Sequence, residues 1–128
     1  MTRITRERFQ TGATHVLRAQ LKIGDDSWAT PDNVSSVAAK VMRQGSSTAT
    51  YDADLTVGTV VQAAFVTDDD QWLDDTNDSR TQKGYNFLWT MPATAFPEAD
   101  WYTVMLSVTD TSDRVTRRIF EGPALGAL

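Results

Sequence analysis

Six aspartates crowd into the segment TDDDQWLDDTNDSRTQKG, at Asp68, Asp69, Asp70, Asp74, Asp75 and Asp78. Clustered carboxylates on one loop are the hard-oxygen donors that calcium takes up with about six to eight ligands. Asp70, Asp74 and Asp78 are the candidates for such a site. No glycine stands where an EF-hand loop needs its sharp turn, so the competing reading is a solvated, self-repelling surface loop, and the expectation for cofactors is none. His15 is the single histidine and there is no cysteine. Multi-histidine metal sites, zinc thiolates, disulfides and cysteine nucleophiles are thereby excluded. His15 also falls in phase with Leu17 and Leu21, which places it in a core or at its rim. Neither G-x-S-x-G, a P-loop nor a dinucleotide fingerprint is present. The residues point away from an enzyme.

What remains are residues suited to contact. Residues 1–22 carry Arg3, Arg6, Arg8, Arg18 and Lys22 against Glu7, whereas residues 23–100 carry four basic and thirteen acidic side chains, within a chain of net charge -5. A basic leading arm on an acidic body suits an acidic patch of its own body or of a neighbour. Only Phe9 interleaves these arginines, and single-stranded nucleic acid needs aromatic platforms to stack on, so no nucleic-acid partner is expected. Arg3, Arg6 and Arg8 are therefore partner-binding candidates. Trp28 and Trp72, each among aspartates in a loop, join them because tryptophan anchors protein interfaces. Trp89, centred in an apolar run, reads as core.

The elements that must position these residues are strands. His15, Leu17, Ala19, Leu21 and Ile23 alternate with Val16, Arg18, Gln20 and Lys22. Val37, Ala39 and Val41 repeat the period of two, as do Tyr102, Val104, Leu106 and Val108. GDDSWATPDN (24–33) has the density of a loop and RQGSS (43–47) of a turn, while TDTSDR joins two late strands as a hairpin. TVVQAAFV (59–66), β-branched and nearly apolar, reads as a central strand, with helix as the minority reading. The chain thus divides into an arm (1–12), a body (13–123) and a tail (124–128). With no repeated unit and no convincing helix, an all-β antiparallel sandwich of about seven strands is expected, with a small β-barrel as the alternative. No run approaches the roughly 18–20 apolar residues of a membrane helix, and MTRITRERFQ lacks the apolar middle of a signal peptide, so cytosolic synthesis and no membrane partner are expected.

The succession HVLRAQLKI, a polar loop, VSSVAAKVMR and the late PATAFPEADWYTVMLSVTDTSDRVTRRIFEGP resembles the small Ig-like β-sandwich domains of tailed-bacteriophage virion proteins, over about residues 13–123. The stretch Asp100–Asp110 is similar to the approach to the next-to-last strand of immunoglobulin-like domains, with Tyr102 in the place of the corner tyrosine whose hydroxyl bonds back to upstream backbone. The resemblance implies a non-enzymatic structural protein of the virion, made in the bacterial cytoplasm. Its expected role is a capsid decoration or cement protein, present in many copies or as a homo-oligomer and contacting the major capsid protein or other virion proteins. A neck, tail or baseplate component, and a carbohydrate- or host-surface-binding module, are the alternatives. The cysteine pair of classical immunoglobulin domains is absent.

Overall fold

The computed structural model describes residues 3–24, 27–67 and 84–125. The alternating segments become strands: β1 (Arg3–Arg6), β2 (Phe9–Gln10), β3 (His15–Ala19), β4 (Val34–Arg43), β5 (Ala49–Leu55), β6 (Val61–Val66), β7 (Tyr85–Met91), β8 (Asp100–Asp110) and β9 (Val115–Leu125). A one-turn helix, α1 (Val57–Val60), leads into β6. Two sheets pack face to face. The larger has the order β1-β9-β8-β4-β5, with β2 also on β9, and the smaller has the order β3-β7-β6. Two open sheets packed together form a sandwich, and the barrel alternative does not occur. The last strand pairs with the next-to-last, which pairs with β4, while β3 and β7 lie in the opposite sheet.

The core is the sum of inward faces. Val37, Ala39 and Val41 of β4, Tyr102, Val104, Leu106 and Val108 of β8, and Phe120 of β9 are buried against Leu17 and Ala19 of β3 and Phe87, Trp89 and Met91 of β7. Removing each valine, leucine, phenylalanine or methionine among these from water stabilises the fold by about 1.5–3 kcal/mol. Trp89 is core as expected, in register with Leu17 and tilted against Tyr51 at 5.6 Å.

Tyr102 forms the expected corner. Its hydroxyl donates to the Glu98 carbonyl at 2.7 Å, and its buried ring meets Phe96 edge-on at 5.1 Å. Arg43, at the end of β4, grips the same corner through Asp100 at 2.6 Å and Glu98 at 2.8 Å. Hydrogen bonding to Arg43, then to the Trp101 N–H, holds the Asp100 carboxyl below its ordinary value, and the bond to Asp100 raises Arg43 in turn.

Two expectations change. The segment at 59–66 is not central: after α1 it becomes the edge strand β6, meeting β7 in register only at Val61–Phe87 and Val66–Tyr85. β7, buried at nearly every position, is the central strand of that sheet. The second change concerns the arm. Residues 3–10 lie in the sheet, β1 and β2 both running parallel to β9. Phe9 is buried and stacks on Phe96 at 4.5 Å. Between β1 and β2 the chain passes over Gly122, where any Cβ would overlap the Glu7 carbonyl. Arg118 fastens this segment to the smaller sheet, donating to the Gln20 carbonyl at 2.7 Å and to the Thr5 hydroxyl at 2.8 Å. An arm set by charge alone would have stayed out; one apolar ring and a missing side chain on β9 bring it in.

Candidate docking face

In a strand, alternate side chains point to opposite faces, so each inward series of the larger sheet implies an outward one. Along β9 the outward residues are Val115, Arg117, Ile119, Glu121, Pro123 and Leu125. Pairing register sets their neighbours. Ile4, Ile119, Met105, Lys40 and Asp52 form one row across β1, β9, β8, β4 and β5. One row toward the C-terminal end of β9 stand Arg6, Glu121, Thr103 and Met42; one row the other way stand Arg117, Ser107, Ala38 and Asp54.

Ile4, Val115 and Leu125 are the exposed large hydrophobic residues among the described ones, at 59%, 51% and 46%. All three lie on this outward face, on the adjacent strands β1 and β9. Beyond them Trp101 is half-buried, with the Arg6 guanidinium 5.5 Å from its ring centroid. Arg6 also stands 3.7 Å from Glu121. Where small side chains meet, at Ala38 and Ser107, the face sinks into a depression of about 340 Å³ walled by Lys40, Asp52, Met105 and Arg117. Lys40 is 3.9 Å from Asp52. The six charges of the three rows are three cations (Arg6, Arg117, Lys40) and three anions (Glu121, Asp52, Asp54), a neutral face on an acidic chain. Such a surface holds no reacting pair; it offers apolar contact with charges that set orientation.

The sequence-derived candidates scatter. Arg6 belongs to this face. Arg3 pairs through its backbone with Arg118, and Arg8 is exposed between β1 and β2. Trp28 lies elsewhere: its ring meets Phe65 of β6 edge-on at 4.9 Å, under the Lys22 ammonium at 4.7 Å, so it covers the smaller sheet as a folded-down loop residue. Trp72 and the calcium candidates Asp70, Asp74 and Asp78 lie outside the described residues. Among the described residues no group of three or more His, Asp or Glu side chains is placed to hold a metal ion, and no helix is long and apolar enough to cross a membrane. His15 sits at the rim between Phe9, edge-on at 5.2 Å, and Glu7, 3.6 Å from its Nε2.

Two polar residues that hold the scaffold carried no separate signal. Asn86, buried within β7, accepts from the Leu21 N–H at 2.7 Å and donates to the Leu21 and Ala29 carbonyls at 2.9 Å each. It takes the place of strand pairing beyond Ala19, which is how Leu21 and Ile23 stay in phase after β3 ends. Asp110, buried at the end of β8, accepts from the backbone N–H groups of Ser112 and Arg114 and from the Arg114 guanidinium, closing the β8–β9 hairpin over Asp113 at φ 64°. Burial alone would raise its pKa; the Arg114 and Ser112 N–H groups and the Arg114 charge outweigh that and hold it below its ordinary value.

No protein-family description, curated protein or solved structure matches this chain.

Proposed function

We propose that this chain is a non-enzymatic structural protein of a bacteriophage particle, a capsid decoration protein that acts by surface complementarity with neighbouring chains of the assembly. The observation that carries the reading is that Ile4, Val115 and Leu125 all point outward from one sheet face, spaced along β1 and β9 among balanced charges. Separate apolar side chains among balanced charges suit docking on another protein, and the two-sheet connectivity beneath them, closed by the Tyr102 corner, supports the likeness to virion sandwich domains. Decoration needs a rigid support that presents such a face in many copies, and a two-sheet core supplies it. The test is to purify particles from the host strain and quantify this protein against the major capsid protein by mass spectrometry. A fixed stoichiometric ratio is expected, with occupancy lowered at least several-fold by the double substitution Ile4→Glu, Leu125→Glu. Absence of the protein from intact particles overturns the reading.

A further inference from the structure

The outward series of β9, Val115, Arg117, Ile119, Glu121, Pro123, Leu125, is nearly its own complement when reversed about Ile119. Rotation by half a turn about an axis running across the strands at the row of Ile4, Ile119 and Met105 lays Arg117 on Glu121 of a second copy and Glu121 on its Arg117. Val115 then meets Pro123, and Ile119 meets Ile119. We propose that this face binds a second copy of the chain, giving a two-fold symmetric dimer whose larger sheets pack face to face, with the two β9 strands antiparallel.

Three further features fit the same axis. The rotation carries Met42, which stands with Thr103 on one side of the axis row, onto Ala38, which stands with Ser107 on the other. A long side chain thus lies opposite the depression that the small ones leave. Equal numbers of cations and anions on the face let two chains of net charge -5 approach there when their remaining surfaces repel. The rotation brings Lys40 and Asp52 each near its own counterpart, and their ion pair at 3.9 Å leaves that part of the row without net charge.

The area suffices. The eleven residues of β9 span about 35 Å at roughly 3.3 Å per residue, and four strands at about 4.8 Å spacing are about 19 Å wide. That is about 650 Å² from each copy, or about 1,300 Å² in all, within the range of specific interfaces. Aligned packing of two twisted sheets brings their strands within about 30° of each other, and arginine and glutamate are long enough to follow that rotation. A symmetric interface of this kind is closed and limits assembly to two copies.

The inference rests on reading the face as a docking surface and not on the particle assignment. The full chain at about 100 μM is examined by sedimentation velocity and light scattering, together with R117E, E121R and the combined R117E/E121R variant. The expected mass is twice 14.2 kDa for the unaltered chain. Each single reversal should weaken association at least tenfold, and the double exchange should restore it to within a few-fold. Both positions point away from the core, so unchanged thermal melts of the variants keep the comparison clean. A monomer at 100 μM, or a dimer that neither reversal weakens, overturns the proposal. A monomer that is nevertheless present in particles defeats the dimer and leaves the decoration reading standing; a dimer absent from particles does the reverse.

Discussion

At the scale of the residue, Tyr102 shows how one hydroxyl can fix the direction of a strand. The phenol donates to a carbonyl four residues upstream while its ring fills the core beside Phe96, so Tyr102→Phe keeps the packing and strands the Glu98 carbonyl. The expected loss is about 1–2 kcal/mol by urea denaturation, and a loss near zero would show that the hydroxyl does not pin the corner. This residue was legible because aromatic identity, a period of two and an acidic approach coincide in DWYTVMLSV. Asn86 was not legible: an amide inside YNFLWTM has no local partner, and its three hydrogen bonds reach residues about sixty positions away. Arg43 escaped for the same reason, since its carboxylate partners lie across the sheet in the 98–100 corner. Local sequence reveals side chains that act within a few residues, not those that act over a fold.

Among the elements, the N-terminal strands behave least as charge alone suggests. Expected within an arm (1–12) set apart from the body, residues 3–10 are held by parallel pairing along β9, by backbone hydrogen bonds from Glu7 to Glu121 and Thr11 to Leu125, and by Phe9 in the core. Phe9→Ala should destabilise the fold by about 3–5 kcal/mol, the range for large cavities in a packed interior. In hydrogen exchange, the amides of residues 3–11 should lose protection together. Retained protection in that variant would mean that pairing, not the ring, holds the segment. The arginines drew attention to solvent, whereas the phase of Ile4, Thr5 and Phe9 is too short to announce strands of four and two residues. The assignment of centre and edge in the smaller sheet reversed for a related reason. TVVQAAFV has the composition of a covered strand, but α1 uses its first residues and leaves Ala63 and Ala64 exposed, while the more mixed YNFLWTM is paired along both edges by β3 and β6 and buries Tyr85, Phe87, Trp89 and Met91.

For the molecule as a whole, electrostatics set the acid limit. Asp100 and Asp110 have folded-state pKa values below their ordinary 3.8, so the unfolded chain binds more protons in the interval between. Their stabilisation is complete above about pH 4 and is lost as the pH falls through the lowered values. Denaturation midpoints should therefore drop on the acid side of pH 4, and Asp110→Asn should flatten that decline by up to about one proton; an unaltered slope would remove Asp110 as a contributor. The candidate face was half legible. Period-two alternation showed that Thr103, Met105 and Ser107 oppose the core, and the aspartate and arginine blocks were plain. That Ile4 and Arg6 would join β9, placing the start of the chain beside its end, depends on pairing more than a hundred residues apart.

That pairing also orders events in time. A ribosome releases β1 and β2 more than a hundred residues before their partner β9, and β8 precedes β9 by only a hairpin. Phe9, Phe96 and the Tyr102 corner must wait for one another, so the nascent chain carries an unsatisfied apolar ring and an open sheet until β9 is made. Closure then waits for β9, and a message truncated anywhere before Gly122 yields a chain that cannot shut its own sandwich.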